Sequence, residues 1–213
     1  MGMTTSRSSQ PWGYPAFAAL PGERLKSSVA NHETTAHDHD HLLFGLFTAQ
    51  PIAALDGLCG GGAEDLELGL RVLRDGGNHT HPISAVSDED LLTWCDRDAD
   101  VRYTAMARVI TVVHRAPGSD APSWTSLALR FLKNAPNPNA ILRAFVSHFK
   151  PSEGWTGSLA TILQSNATLL DQLIDYPALQ SAITLEKERV RQWIEEEQSR
   201  EQLWDRERDE RFE

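Results

Sequence analysis

The sequence predicts an all-α protein: an α-solenoid of stacked helical pairs between a polar N-terminal arm and a charged C-terminal helix. Three observations carry this. From Leu42 onward, apolar residues recur every three to four positions, the period of one helix face. Turn residues centre near Gly61, Ala99, Asn137 and Tyr176, in steps of 38, 38 and 39 residues. No convincing strand appears. The β-branched run 109–113 is the one place where a hairpin competes, and residues 105–108 before it favour helix. A near-constant period with a helix on each side of every turn is how a solenoid reads. One helical pair cannot cover its own apolar faces, and stacking buries them. The competing reading is an irregular helical bundle with evenly spaced turns.

Residues 1–41 carry scattered Ser, Thr, Pro, His and Asp with few apolar positions. Such a stretch buries too little surface to offset the entropy of ordering it. It reads as an irregular arm with contacts to the body through Trp12, Tyr14 and Phe17 and at most a short helix over 23–30. Residues 42–178 form the repeat domain. Pro51 splits its first apolar run into two helices or kinks it, and Gly60, Gly61 and Gly62 end it. A helix from about Glu64 to Arg74 follows, stopped by Gly76 and Gly77. Ser87, followed by Asp88, Glu89 and Asp90, has the form of an N-cap with acids at the positive end of the helix dipole. Tyr103, Met106, Ile110 and Val113 place the next helix across 103–113. Ser123 is the expected cap of the helix carrying Leu127 and Phe131, and Ser158 of the one beginning at Leu159. Residues 159–174 supply one more pair. Residues 179–213 then continue a helical face through Ile183, Val190, Trp193 and Ile194. That helix becomes dominated by charge, with 11 acidic and 7 basic residues from 186 to the end. Glu196 with Arg200 and Glu207 with Arg211 are favourable pairs, each worth roughly 0.2–0.5 kcal/mol, whereas Glu197 with Glu201 is repulsive.

The runs PIAALDGLCGGGAEDLELGLRVL, LLTWCDRDADVRYTAMARVI, FLKNAPNPNAILRAFVSHF and GWTGSLATILQ, with the terminal RERDERFE, carry a resemblance. They resemble HEAT-like helical regions near the C-terminus of large bacterial multidomain proteins, over about residues 42–213. Asp100, Arg102, Trp155 and Ser158 match as fold positions. The resemblance implies an interaction or regulatory solenoid and carries over no catalytic residue. The chain lacks the long N-terminal effector or nucleotide-binding portion of such proteins, so a piece of a longer protein and a stand-alone relative both fit.

Composition narrows the partners. A formal charge of −10 argues against the phosphate attraction on which most nucleic-acid binders rely and against anionic membrane surfaces. Two cysteines, Cys59 and Cys95, make no disulfide framework and suit a reducing compartment; they read as buried small hydrophobes. No apolar run reaches the roughly 20 residues of a spanning helix, and the start resembles no signal peptide. These features predict a soluble cytoplasmic protein that acts on another protein or domain rather than on nucleic acid or membrane.

Catalytic signatures are sparse, and no cofactor is implied. The cluster His37, His39 and His41, with His32, Glu33 and Asp38 near it, has ligands suited to zinc but no HExxH order. It supports the alternative of a metal-dependent hydrolase, with His79 or His81 as further ligands. His114 and His148 read as helix-end caps. Asp96, Asp98 and Asp100 begin like a calcium loop but lack its later Gly and Glu. The leading expectation is therefore a non-catalytic interaction module. Its terminal helix offers Trp204 and Phe212 as partner-binding residues, set against a plain solvated cap.

Overall fold

A computed structural model of the chain describes residues 40–74, 82–118, 121–150 and 158–212. The N-terminal arm through His39, the glycine stop after Arg74 and Trp155 lie outside them. Among the described residues the protein is all-α apart from one small hairpin, with nine helices. Proline punctuates the start. Helix α1 (Asp40–Ala49) stops before Pro51, which occupies the first turn of α2 (Pro51–Cys59), where its missing N–H costs nothing. Gly60 closes α2, and Gly61 turns the chain at φ +102°. Helix α3 (Ala63–Arg74) then starts with Glu64 and Asp65 at its positive end. A single turn of tighter helix at Pro82–Ala85 packs on α1.

Ser87 caps α4 (Asp88–Asp96), its hydroxyl accepting from the Asp90 amide at 3.1 Å. Helix α5 (Ala99–Met106) follows after two residues. Thr125 caps α6 (Ser126–Asn134) and Asn137 caps α7 (Pro138–Ser147), each through its side-chain oxygen. Ser158 caps α8 (Leu159–Asp171) as the sequence predicts. A tight turn at Pro177–Leu179 leads into α9 (Gln180–Phe212), 33 residues long.

Four local expectations are corrected. The helix expected to reach Val113 ends at Met106, because the run Val109, Ile110, Thr111, Val112 and Val113 is too β-branched to continue it. Instead β1 (Val113–Arg115) pairs antiparallel with β2 (Pro122–Trp124), Val113 facing Trp124 and Arg115 facing Pro122. His114 thus sits in a strand rather than at a helix end, and Ser123 lies in β2, leaving the cap to Thr125. Residues 159–174 hold one helix, α8, whose pairing partner is α9.

Side chains at the predicted spacing fill the core. Helix α2 packs on α3, α4 on α5, α6 on α7 and α8 on α9; across these pairs α3 meets α5, α5 meets α7, and α7 meets α9. Asp56 fastens the first pair to the second. Its carboxylate accepts from the indole N–H of fully buried Trp94 at 2.8 Å and from Arg97 at 2.8 Å. Arg102 stacks on the Trp94 ring, 4.1 Å from its centroid. An aromatic row then crosses from the second pair to the third: Tyr103 meets Phe131 edge-on at 5.0 Å, and Phe131 meets Phe145 at 6.5 Å. Trp124 of the hairpin lies 6.0 Å from both Phe145 and Phe149. Each such contact adds about 0.5–1.5 kcal/mol beyond burial. The hairpin is tied to α8 by the Trp124 indole, which donates to the Leu169 carbonyl at 2.9 Å, and by Arg115, which donates to buried Asn166 at 2.7 Å.

Candidate interaction surfaces

The face of α9 that turns inward bears Ile183, Glu186, Val190 and Glu197, all buried. Two carboxylates on an otherwise apolar stripe need partners. Glu186 receives Arg189 at 3.3 Å from its own helix and Arg143 at 3.5 Å from α7. Glu197 receives Arg200 at 2.8 Å, with the Lys150 ammonium 4.0 Å away. Trp193 lies between two cations, Lys150 at 4.5 Å and Arg189 at 4.7 Å from its ring. One turn on, Glu201 accepts from the Ser158 hydroxyl at 2.7 Å. The pair Glu197 and Glu201, expected to repel, is thus drawn to two different groups of the body.

Past Glu201 the helix leaves this support, and residues 202–208 are exposed. Trp204 stands seven residues beyond Glu197 and fourteen beyond Val190, so it continues the inward stripe. Yet it is 72% exposed, and its neighbour Leu203 52%. Phe212 is the last residue of α9. A shallow hollow of about 580 Å³ runs along the adjoining flank, from Gln192 and Glu196 to Arg200 and Leu203.

A second concavity, about 520 Å³, lies where the turn of the first pair meets the second; Gly60, Gly61, Glu67, Asp98, Arg102 and Arg108 are among its lining. Gly61 is required there on two counts. Its φ is positive, and a Cβ would stand 2.3 Å from the Asp65 carboxylate. Arg108 donates to Glu67 at 2.5 Å, and this bond holds the Glu67 carboxyl below the ordinary carboxylate range. Opposite charges thus already meet within the groove. Its one thiol is Cys59, which is buried, as is Cys95 in the core beneath. Burial pushes the Cys95 thiol up to about 12, with the Asp96 charge adding to it. That thiol is a poor nucleophile. The Tyr103 hydroxyl is likewise raised by burial and by donating to Asp96 at 2.7 Å.

Of the predicted metal ligands, His37, His39, His79 and His81 lie outside the described residues. His41 enters only as a backbone position in the first turn of α1. Among the described residues no three His, Cys, Asp or Glu side chains converge as a metal site would require. His148 stands at the C-terminal end of α7, and burial lowers its pKa below the usual 6.5. Asp56 went unremarked in the sequence, its one signal being the 38-residue offset from Trp94. The bond from Ser158 to Glu201 left no signal at all. No helix among the described residues is long and apolar enough to cross a membrane. No protein-family model, curated protein or solved structure matches the chain.

Proposed function

We propose that the chain is a short α-solenoid that acts as a non-catalytic interaction module, docking a protein partner in the cytoplasm through the projecting end of α9. The observation that carries this reading is the inward stripe of α9, which runs past the last covering side chain and leaves Trp204 72% exposed on a highly charged helix. Trp is enriched among the residues that carry most of the binding energy at protein interfaces. The repeat reading is supported by turns at residues 60–62, 97–98, 135–137 and 172–179, each between two helices. It is supported further by bonds between successive pairs at sequence offsets of 38 and 41, from Asp56 to Trp94 and Arg97, Glu67 to Arg108, and Glu89 to Arg130. Phe212 belongs to the same docking end by position.

The experiment is affinity capture with the immobilised chain and its Trp204→Ala variant, each retained protein being quantified and then tested for direct binding in purified form. A partner held by the parent chain and lost from the variant supports the reading. Retention of nothing, together with a turnover activity that depends on His39 and His41, overturns it in favour of a metal-dependent hydrolase.

A further inference from the structure

We infer that the projecting end of α9 pairs antiparallel with the same segment of a second copy of this chain, about a two-fold axis between residues 203 and 204. The inference rests on the reading of this end as a docking surface and names its occupant. Residues 200, 203, 204 and 207 are neighbours at spacings of three and four, so they form one diamond on the helix surface. Its lateral corners are Leu203 and Trp204, both largely exposed. Its upper and lower corners are Arg200 and Glu207, of opposite sign and both exposed.

A two-fold axis across the helix reverses position along it but keeps each lateral side. Leu203 then meets Leu203 of the second copy and Trp204 meets Trp204, so apolar surface covers apolar surface. Arg200, which holds Glu197 of its own helix with one nitrogen and is otherwise exposed, faces Glu207 of the second copy, and Glu207 faces Arg200, so the charges match twice. By position in the sequence, Glu196 and Arg211 repeat the relation farther out. A parallel pairing would set Arg200 on Arg200 and Glu207 on Glu207. Charge complementarity therefore selects the second copy and the antiparallel sense together. Residues 202–208 are exposed, and among the described residues Glu201 is the last position of α9 with a hydrogen bond from the body.

Three turns of two helices fall short of the roughly 1,200 Å² of a standard interface, so the dimer is reversible with a dissociation constant on the order of tens of micromolar. The test is size-exclusion chromatography with light scattering on the full chain over about 10–200 µM, a range that brackets such a constant. The mass is expected to climb from the monomer's 23.7 kDa toward twice that value. Trp204→Ala and Glu207→Arg are each expected to raise the dissociation constant about 10-fold or more. Both residues are exposed, so an unchanged far-UV circular dichroism spectrum confirms that the variants fold. The second reading is disulfide trapping. Leu203→Cys is expected to cross-link to itself, while Gln192→Cys is not, because antiparallel pairing sets those two positions about 35 Å apart. Cys59 and Cys95 are buried, which keeps the parent chain silent in this assay.

A mass fixed at 23.7 kDa throughout, a dimer indifferent to both substitutions, or equal cross-linking at 192 and 203 overturns the inference. A monomeric chain that still captures a different protein through Trp204 overturns self-pairing alone and leaves the docking reading intact.

Discussion

Replacing Asp56 by Ala tests how the first two helical pairs are held together. The carboxylate is 42% exposed, but the indole N–H it accepts belongs to a side chain with no exposure at all. Removing the acceptor strands a buried donor, at about 1–3 kcal/mol. The Arg97 contact, half in water, and the longer Arg102 contact at 3.6 Å add up to about 1 kcal/mol each. The expected loss is therefore roughly 2–4 kcal/mol, and at about 2–4 °C per kcal/mol for a chain of this size the melting temperature falls by roughly 4–16 °C. Asp56→Asn keeps an oxygen for the indole and gives up only the charge shared with Arg97 and Arg102, so it costs under about 2 kcal/mol by the same reasoning. Urea unfolding followed by circular dichroism measures both. In a Trp94→Phe background no donor is left to strand, and Asp56→Ala shrinks to its ion-pair share, giving a coupling of about 1–3 kcal/mol. Equal losses for Ala and Asn, or additivity with Trp94→Phe, would refute the assignment of the cost to the indole.

Gly69→Ala places a Cβ 2.4 Å from the Leu58 carbonyl oxygen and 2.8 Å from the Cys59 sulfur; pushing α2 and α3 apart costs about 1–3 kcal/mol in urea unfolding. The depressed His148 pKa means that the unfolded chain binds the proton more readily. Stability is then full above about pH 6.5 and declines as pH falls through the window just below it, a slope that His148→Gln flattens in melts between pH 7 and 5. With its thiol pushed up to about 12, Cys95 is expected to resist alkylation at pH 8 in the native chain of a Cys59→Ala variant and to react once urea unfolds it.

What could be read from the sequence was whatever depends on local spacing. The caps at Ser87 and Ser158, the split at Pro51 and the turns near Gly61, Ala99 and Asn137 each follow from one or two residues acting on their own backbone. The hairpin was half legible. The β-branched run over 109–113 signals extended chain, but the Leu169 carbonyl that anchors Trp124 lies 45 residues downstream. Inherent preference and tertiary contact had to be combined to end α5 at Met106. At the terminal helix, Ile183, Val190 and Trp204 announce a face by their period. Which part of that face is covered depends on where the body ends, and no residue in α9 encodes that. Glu197 shows the same limit from the other side. Its neighbours in sequence suggest repulsion, whereas Lys150 and Ser158 arrive from elsewhere in the chain.

Those two arrivals have a consequence. Lys150 reaches Glu197 and Ser158 reaches Glu201, so two points eight residues apart in the chain are clipped to adjacent turns of one helix. Helix α7, which ends just before Lys150, and α8, which begins just after Ser158, are thereby both held by α9. Helix α9 thus doubles as a splint, laid across the two helices before it and tied to each by a side chain at its edge.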